Sequence, residues 1–420
     1  MQSQMIINIG RLAGLDENPG ILRGPSLAAL PVIENAWLSV EDGRIKDYGS
    51  MQQLQTGNGQ QALIDARNAT VLPAWCDSHT HLVFAASREE EFVDKLRGMT
   101  YAEIAAKGGG ILNSAAKLNK ASEKELFNSA MARLQELILL GTGAIEIKSG
   151  YGLTLEGELK MLRVIQRIKQ AVPIPVKATF LGAHAFPEIY KQDHEGYISL
   201  IINEMLPNIA KEGLADFIDV FCEQGFFSPA EMIRICEAGA KHGLQPKLHV
   251  NQLNSIGAIE AGIALNALSL DHLETLTEAE IALLSGSAVA GSGWQGLCTL
   301  LPTAAYFLRM QFQPARKLLE RGCAVALASD FNPGSSPSGN MNTVVSMSCI
   351  QMKMLPEEAI NAATINGAYA MQVQHECGSI TRGKKANLIF TKPIPSIAYL
   401  PYAFGANLID KVMINGAFVS

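Results

Sequence analysis

Charge is scarce in this chain of 420 residues. Asp, Glu, Lys and Arg make up 18% of it, against a usual share of about 25%, while 48% is hydrophobic. Such a chain has too much to bury for a disordered protein and too little charge for a coiled coil. The charges present do not favour one sign strongly. Lys plus Arg count 34 and Asp plus Glu 40, for a net charge of -6, which argues against a nucleic-acid footprint or a membrane-surface patch. Cysteines are few, odd in number and never spaced C-x-x-C. The seven, at 76, 222, 236, 298, 323, 349 and 377, read as reduced, buried thiols and not as a disulfide framework or zinc ribbon. The opening MQSQMIINIG lacks a basic stretch followed by an apolar one, so no signal peptide is expected and the cytoplasm is the expected location. The longest uncharged run, Ile281 to Leu308, is broken by glycines, Gln295 and Pro302, so it reads as buried wall plus loop and not as a membrane span.

The ends of the chain differ from its middle. Ala36-Trp37-Leu38-Ser39-Val40 before Glu41-Asp42-Gly43, and Val412 to Val419 around Asn415-Gly416, read as strands and hairpins. Residues 1–70 and 376–420 are therefore expected to form one small β-sandwich domain from both termini. The middle, 71–375, alternates strands with capped helices. Ser122-x-x-Glu125, Ser228-Pro229-x-Glu231 and Thr277-x-x-Glu280 each open a helix. Eight β-rich runs lie between such helices: 71–77, 143–148, 176–182, 216–222, 246–250, 267–271, 287–291 and 324–329. That count predicts an α/β fold, a (β/α)8 TIM-type barrel. An open doubly wound sheet would call for a Gly-x-Gly-x-x-Gly turn after its first strand, and there is none.

Barrel enzymes keep their chemistry at the C-terminal ends of strands. Five of the eight histidines fall there: His79, His81, His184, His249 and His272. His79 and His81 are two apart and share a face of an extended strand. Joined by His249 and Asp330 from other strands, they make an N/O site suited to one divalent ion, Zn²⁺ or Fe²⁺ or Mn²⁺. The remaining histidines, His194, His242 and His375, lie in helical or loop stretches and are expected to face solvent. Gly108-Gly109-Gly110 has no following Lys-Ser/Thr and is no phosphate loop; a flexible segment near the pocket is expected there. Ser149 and Ser329 lack the strand-to-helix elbow of a serine nucleophile.

The stretch Leu72-Pro73-Ala74-Trp75-Cys76-Asp77-Ser78-His79-Thr80-His81 resembles the opening His-x-His strand of the amidohydrolase superfamily. More narrowly, the chain resembles the imidazolonepropionase family over nearly its whole length. The resemblance rests on Arg88, on Lys148-Ser149-Gly150-Tyr151-Gly152-Leu153, on Thr179 to His184 and on Asp330-Phe331-Asn332-Pro333-Gly334-Ser335. It implies that His79, His81, His249 and Asp330 hold one metal ion, Zn²⁺ or iron, in each subunit. Arg88, Tyr151, His184, Gln252, Asn332, Gly334 and Ser335 would line the substrate pocket. Two positions depart from other branches of the superfamily. Strand four ends in Glu223 and not Lys, so a carboxylated-lysine bridge between two metals is not expected. Position 252 is Gln where many cyclic-amidine deaminases carry Glu, and Gln cannot act as a base.

The implied reaction opens the ring of 4-imidazolone-5-propanoate with water to give N-formimidoyl-L-glutamate, a step of histidine degradation. Asp330 is the candidate to accept the water proton and pass it to the leaving nitrogen. His272 is a candidate to orient water or stabilise the oxyanion, and His184 to hydrogen-bond the substrate carbonyl or carboxylate. Arg88 would clamp the propionate with two parallel bonds, and the turn 332–336 would offer N–H and hydroxyl donors. The alternative enzyme is an aminohydrolase of a purine or pyrimidine ring, which would release ammonia and lacks its Glu here. A scaffold that has lost its metal would show broken ligands, and all four are intact. A small-molecule substrate is the expected partner. Neither nucleic acid nor membrane is expected, and a homodimer is the guess drawn from the superfamily and the low charge share.

Overall fold

Alternating apolar residues at the start of the chain build its longest strand. The structure, a computed structural model, describes residues 3–17, 20–54, 62–99, 103, 107, 109–286 and 293–419. Strand β1 (Ser3–Ala13) buries Ile6 on one parity and Ile9 on the other. Asn8, at φ 55°, lies at the register shift that makes this change possible, a bulge in the pairing with β2 (Val32–Glu41). The chain then turns through Asp42 and Gly43, at φ 50° and 78°, into β3 (Arg44–Ser50). Two left-handed residues in succession give the tight turn whose twist suits a hairpin. Strands β4 (Ala62–Asp65) and β5 (Thr70–Pro73) both run parallel to β1.

At Ala74 the chain leaves this sheet and enters a barrel. The run expected as one strand over 71–77 is therefore two, because its halves pair with different partners. β6 (Trp75–Asp77) begins the barrel. It is followed by β7 (Thr142–Lys148), β8 (Val176–Ala183), β9 (Phe217–Cys222) and β10 (Gln245–Val250). β11 (Ser269–His272), β12 (Leu297–Leu300) and β13 (Val325–Leu327) complete it. Each strand pairs in parallel with the next. The seventh described strand of the barrel is thus β12; the run expected at 287–291 lies wholly outside the described residues. The strands are buried on both faces, as parallel strands under a helical coat must be, and this is where the apolar excess of the sequence goes. The predicted caps form. Ser122, Ser228 and Thr277 each accept from the N–H three residues on, and the Glu there bonds back.

Strands β6 and β13 meet through the residues that follow them. Asp330 N–H donates to His79 O at 2.9 Å, and His81 N–H to Phe331 O at 2.9 Å. The barrel therefore closes at the His-Thr-His segment itself. The end of the chain returns to the first sheet. β14 (Leu388–Thr391) pairs with β5, β15 (Ile409–Ile414) with β14, and β16 (Ala417–Phe418) with β15. Both termini thus share one mixed sheet, with Ile6, Leu38, Val71, Leu388 and Met413 in a common core. The seven cysteines are free, and all but Cys349 are buried.

Candidate active site

Two imidazoles are held by buried carboxylates so that their remaining nitrogens face each other. His79 Nδ1 lies 2.7 Å from Asp271 Oδ2, and His249 Nδ1 lies 2.7 Å from Asp219 Oδ2. Each Nδ1–H donates to its carboxylate, so in the neutral ring each Nε2 carries a lone pair. Those two Nε2 atoms are 3.0 Å apart. Two lone pairs so placed repel, unless a cation lies between them. Asp330 Oδ1 is 3.5 Å from Nε2 of both His79 and His81. The buried Nδ1 of His81 has no hydrogen-bond partner. Burial, together with the neighbouring cations, holds the imidazoles of His79, His81 and His249 well below their ordinary pKa, in the neutral form that a metal ligand needs. Burial pushes the Asp330 carboxyl up to about 7. The donor set fits a divalent ion.

His272 joins the cluster as well. Ligand atoms of His79, His249, His272 and Asp330 all lie within 4.8 Å of one another, while His81 stands beside them. His81 Nε2 is 3.5 Å from the Asp330 carboxylate of that group. His272 Nδ1 faces Glu274 Oε1 at 3.2 Å. Burial disfavours its charge, but the charge and hydrogen bond of Glu274 outweigh that and raise its pKa. Gln313 Nε2 donates to the same Glu274 oxygen at 3.0 Å.

The cluster forms one end of a cavity of about 510 Å³, a size suited to a small molecule. His184, Tyr151, Gln252, Arg88, Asn332, Gly334 and Ser335 all line it, with Phe221, Phe226 and Leu308 as apolar walls. His184 Nδ1 lies 3.0 Å from the Gly150 carbonyl. A carbonyl can only accept, so Nδ1 carries the proton, and burial lowers the ring's pKa to about 4. Its free Nε2 is an acceptor. In the neutral ring this nitrogen can take an N–H from a ligand.

The turn after β13 also works differently from expectation. Gly334 N–H and Ser335 N–H both donate to Asn332 Oδ1 at 2.8 Å, and Asn332 Nδ2 donates to Ser335 Oγ at 2.7 Å. Those backbone donors are spent inside the turn. The need for glycine is steric: a Cβ at 334 would lie 2.2 Å from Arg88 Nη1. Arg88 is steadied from its other edge by Glu91, whose second oxygen accepts from Gly110 N–H at 3.0 Å. Gly108, in the stretch expected to be flexible, lies outside the described residues.

Glu223 is turned to the loop after β10, accepting from Leu253 N–H at 2.7 Å and Asn254 Nδ2 at 3.0 Å. Ser149 Oγ accepts from Leu181 N–H and Ser329 Oγ donates to Asp77, so both hydroxyls are structural. His194, His242 and His375 are exposed. Sequence reasoning left Asp219, Asp271 and Glu274 without roles. Their signal was a carboxylate inside an apolar strand, Phe217-Ile218-Asp219-Val220-Phe221 above all.

A family model described as the amidohydrolase family matches residues 70–419. An imidazolonepropionase of Flavobacterium johnsoniae is 56% identical over 94% of both chains. One of Christiangramia forsetii is 52% identical over 99% of both. Among solved structures, a 5-methylcytosine deaminase of Klebsiella pneumoniae superposes with a TM-score of 0.72 at 15% identity, covering 99% of this chain and 97% of that one. A zinc-bound adenosine deaminase of Xanthomonas campestris gives 0.69 at 16%, covering 99% and 92%. At such identities the deaminases speak for the fold alone. The chain belongs to the amidohydrolase family and, within it, to the imidazolonepropionases.

Proposed function

We propose that this enzyme hydrolyses the cyclic amide C–N bond of 4-imidazolone-5-propanoate, giving N-formimidoyl-L-glutamate in histidine degradation. The observation that carries the reading is the pair of carboxylate-held imidazoles facing each other beside Asp330, at one end of a cavity that also holds Arg88. His79, His81, His249 and Asp330 would hold one divalent ion, Zn²⁺ or iron: Asp330 Oδ1 lies 3.5 Å from Nε2 of both His79 and His81, and His249 Nε2 lies 3.0 Å from His79 Nε2. When bound, the ion supplies Lewis acidity and brings the pKa of water toward ~7.

The protein's own groups do the rest. The Nη1 edge of Arg88 binds the propionate, with the guanidinium fixed by Glu91. His184 Nε2 accepts a ring N–H, which sets the ring's orientation. Asp330 takes the proton of the attacking water and returns it to the ring nitrogen as the carbonyl C–N bond breaks. The water oxygen stays on carbon as the new carboxylate, and the nitrogen leaves as part of the formimidoyl group. His272, backed by Glu274, donates to the carbonyl oxygen as charge develops there. Gln252 offers hydrogen bonds and no base, which separates this chemistry from deamination.

The expected composite domain of 1–70 and 376–420 extends through Pro73, since β5 pairs within the terminal sheet, and acts beside the barrel that begins at Trp75. No helix among the described residues is long and apolar enough to cross a membrane. A cytoplasmic location and a homodimer complete the reading, and sedimentation tests the latter. The direct test is spectrophotometric: loss of imidazolone propionate with metal-replete protein, stopped by chelator. Metal-replete protein that leaves the substrate intact would sink the proposal.

A further inference from the structure

We infer that Lys148 is a positioning residue for the metal centre, tying the carboxylates that orient His249 and His79 into one unit. The inference rests on the metal-site reading above. Lys148 ends β7 and is fully buried. Its Nζ lies 2.8 Å from Asp219 Oδ2, 2.9 Å from Glu146 Oε1 and 3.6 Å from Asp271 Oδ2. The two aspartate oxygens are the same atoms that face Nδ1 of His249 and His79. One ammonium group therefore touches, through two shared oxygens, both imidazoles whose Nε2 atoms stand 3.0 Å apart.

A circuit of polar contacts locks that ammonium in place. Glu146 Oε2 pairs with Lys247 Nζ at 3.1 Å, Lys247 donates to Ser269 Oγ at 2.8 Å, and Ser269 donates to Asp271 Oδ1 at 2.6 Å. The ring thus runs from Lys148 through Glu146, Lys247, Ser269 and Asp271 back to Lys148. Its members come from three strands, β7, β10 and β11. Two buried carboxylates in a dry interior repel, and the Lys148 cation offsets that repulsion for both. Without it the aspartates move apart. Each carries its imidazole with it, because the Nδ1–H bond holds the two together. Lys384 serves as the contrast: this buried lysine donates to Cys377 O and Ser379 Oγ and takes no part in the circuit.

The test measures Zn²⁺ affinity of purified protein by competition with a chromophoric chelator, and the absorption spectrum of the Co²⁺-loaded form. Lys148→Met is expected to raise the Zn²⁺ Kd about 10–100-fold and to shift the Co²⁺ bands. Lys384→Met is expected to lower thermal stability but to leave Kd within about threefold of wild type, which a general effect of losing a buried lysine would not do. If Lys148→Met does not fold, Lys148→Gln, which keeps a polar end but removes the charge, carries the test. It is expected to lose at least about tenfold in affinity. A folded Lys148 variant with wild-type Kd and Co²⁺ spectrum overturns the inference, as does an equal rise in Kd for Lys384→Met. Wild-type protein that fails to bind Zn²⁺ overturns the metal-site reading itself.

Discussion

Gly334 illustrates how one missing methyl group can shape a binding site. Its backbone gives way to the Arg88 guanidinium, which a Cβ would meet at 2.2 Å. Gly334→Ala is expected to displace Arg88 and to raise KM about 10–100-fold with kcat little changed, the scale of one lost charged hydrogen bond. Arg88→Met should do the same by removing the group. Steady-state kinetics on both variants checks this, and an unchanged KM for either one shows that the propionate is held elsewhere. Asp330→Asn keeps the shape of the side chain but removes its charge and its ability to take a proton. Turnover is expected to fall at least about 10³-fold. Residual activity within tenfold of wild type, measured at saturating metal, refutes the proton-carrying role. Glu274→Gln should lower kcat at unchanged KM, because His272 then loses the charge that favours its donor form.

At the scale of elements, caps and strand tips do different work. Ser228 starts the helix Pro229–Ala240 with a reciprocal bond pair to Glu231. Ser228→Ala is expected to cost about 1 kcal/mol in denaturant unfolding and to leave kcat/KM unchanged, since the cap touches no site residue. The strand tips instead hold left-handed backbone: Asn251 at φ 53°, His272 at 85°, Leu273 at 68° and Asp330 at 52°. Such conformations cost energy and persist only where the surroundings enforce them, and here they occur at the ends of the strands that carry the site. A helix can also absorb a misfit. The turn Ile201–Met205 is π-helical, with Leu206 N–H bonding to Ile201 O, just before Pro207, which has no N–H to give.

For the whole molecule, the site and the closure of the barrel are one feature. The bonds from Asp330 to His79 and from His81 to Phe331 join the first and last strands. A metal ion bound at the proposed ligands would tie the seam of the barrel and so add to folding stability by mass action. Removal of the ion with chelator is expected to lower Tm by about 5 °C or more, and added Zn²⁺ or Fe²⁺ should restore it. A Tm indifferent to chelator and to added ion counts against a bound metal at the seam.

Much was legible without coordinates. Strand-and-helix alternation announces a barrel because each βα unit carries its own period and caps, and strand-end histidines announce the chemistry because a polar residue there has only the rim to face. The residues Arg88, Tyr151, His184, Gln252 and Asn332 do line one cavity with the histidine cluster. What local pattern could not reveal was anything decided by pairing across the fold. The split at Ala74 depends on β5 bonding to β1 and β14 while β6 bonds to β7. The proton on His184 Nδ1 depends on the Gly150 carbonyl, and the occupied N–H groups of Gly334 and Ser335 on the side chain of Asn332. Sequence determined which residues reach the rim, since strand parity and length are local. Tertiary structure alone decided which nitrogen points where, because a ring's orientation is set by partners on other strands: Asp271 for His79, Asp219 for His249, and Lys148 between them.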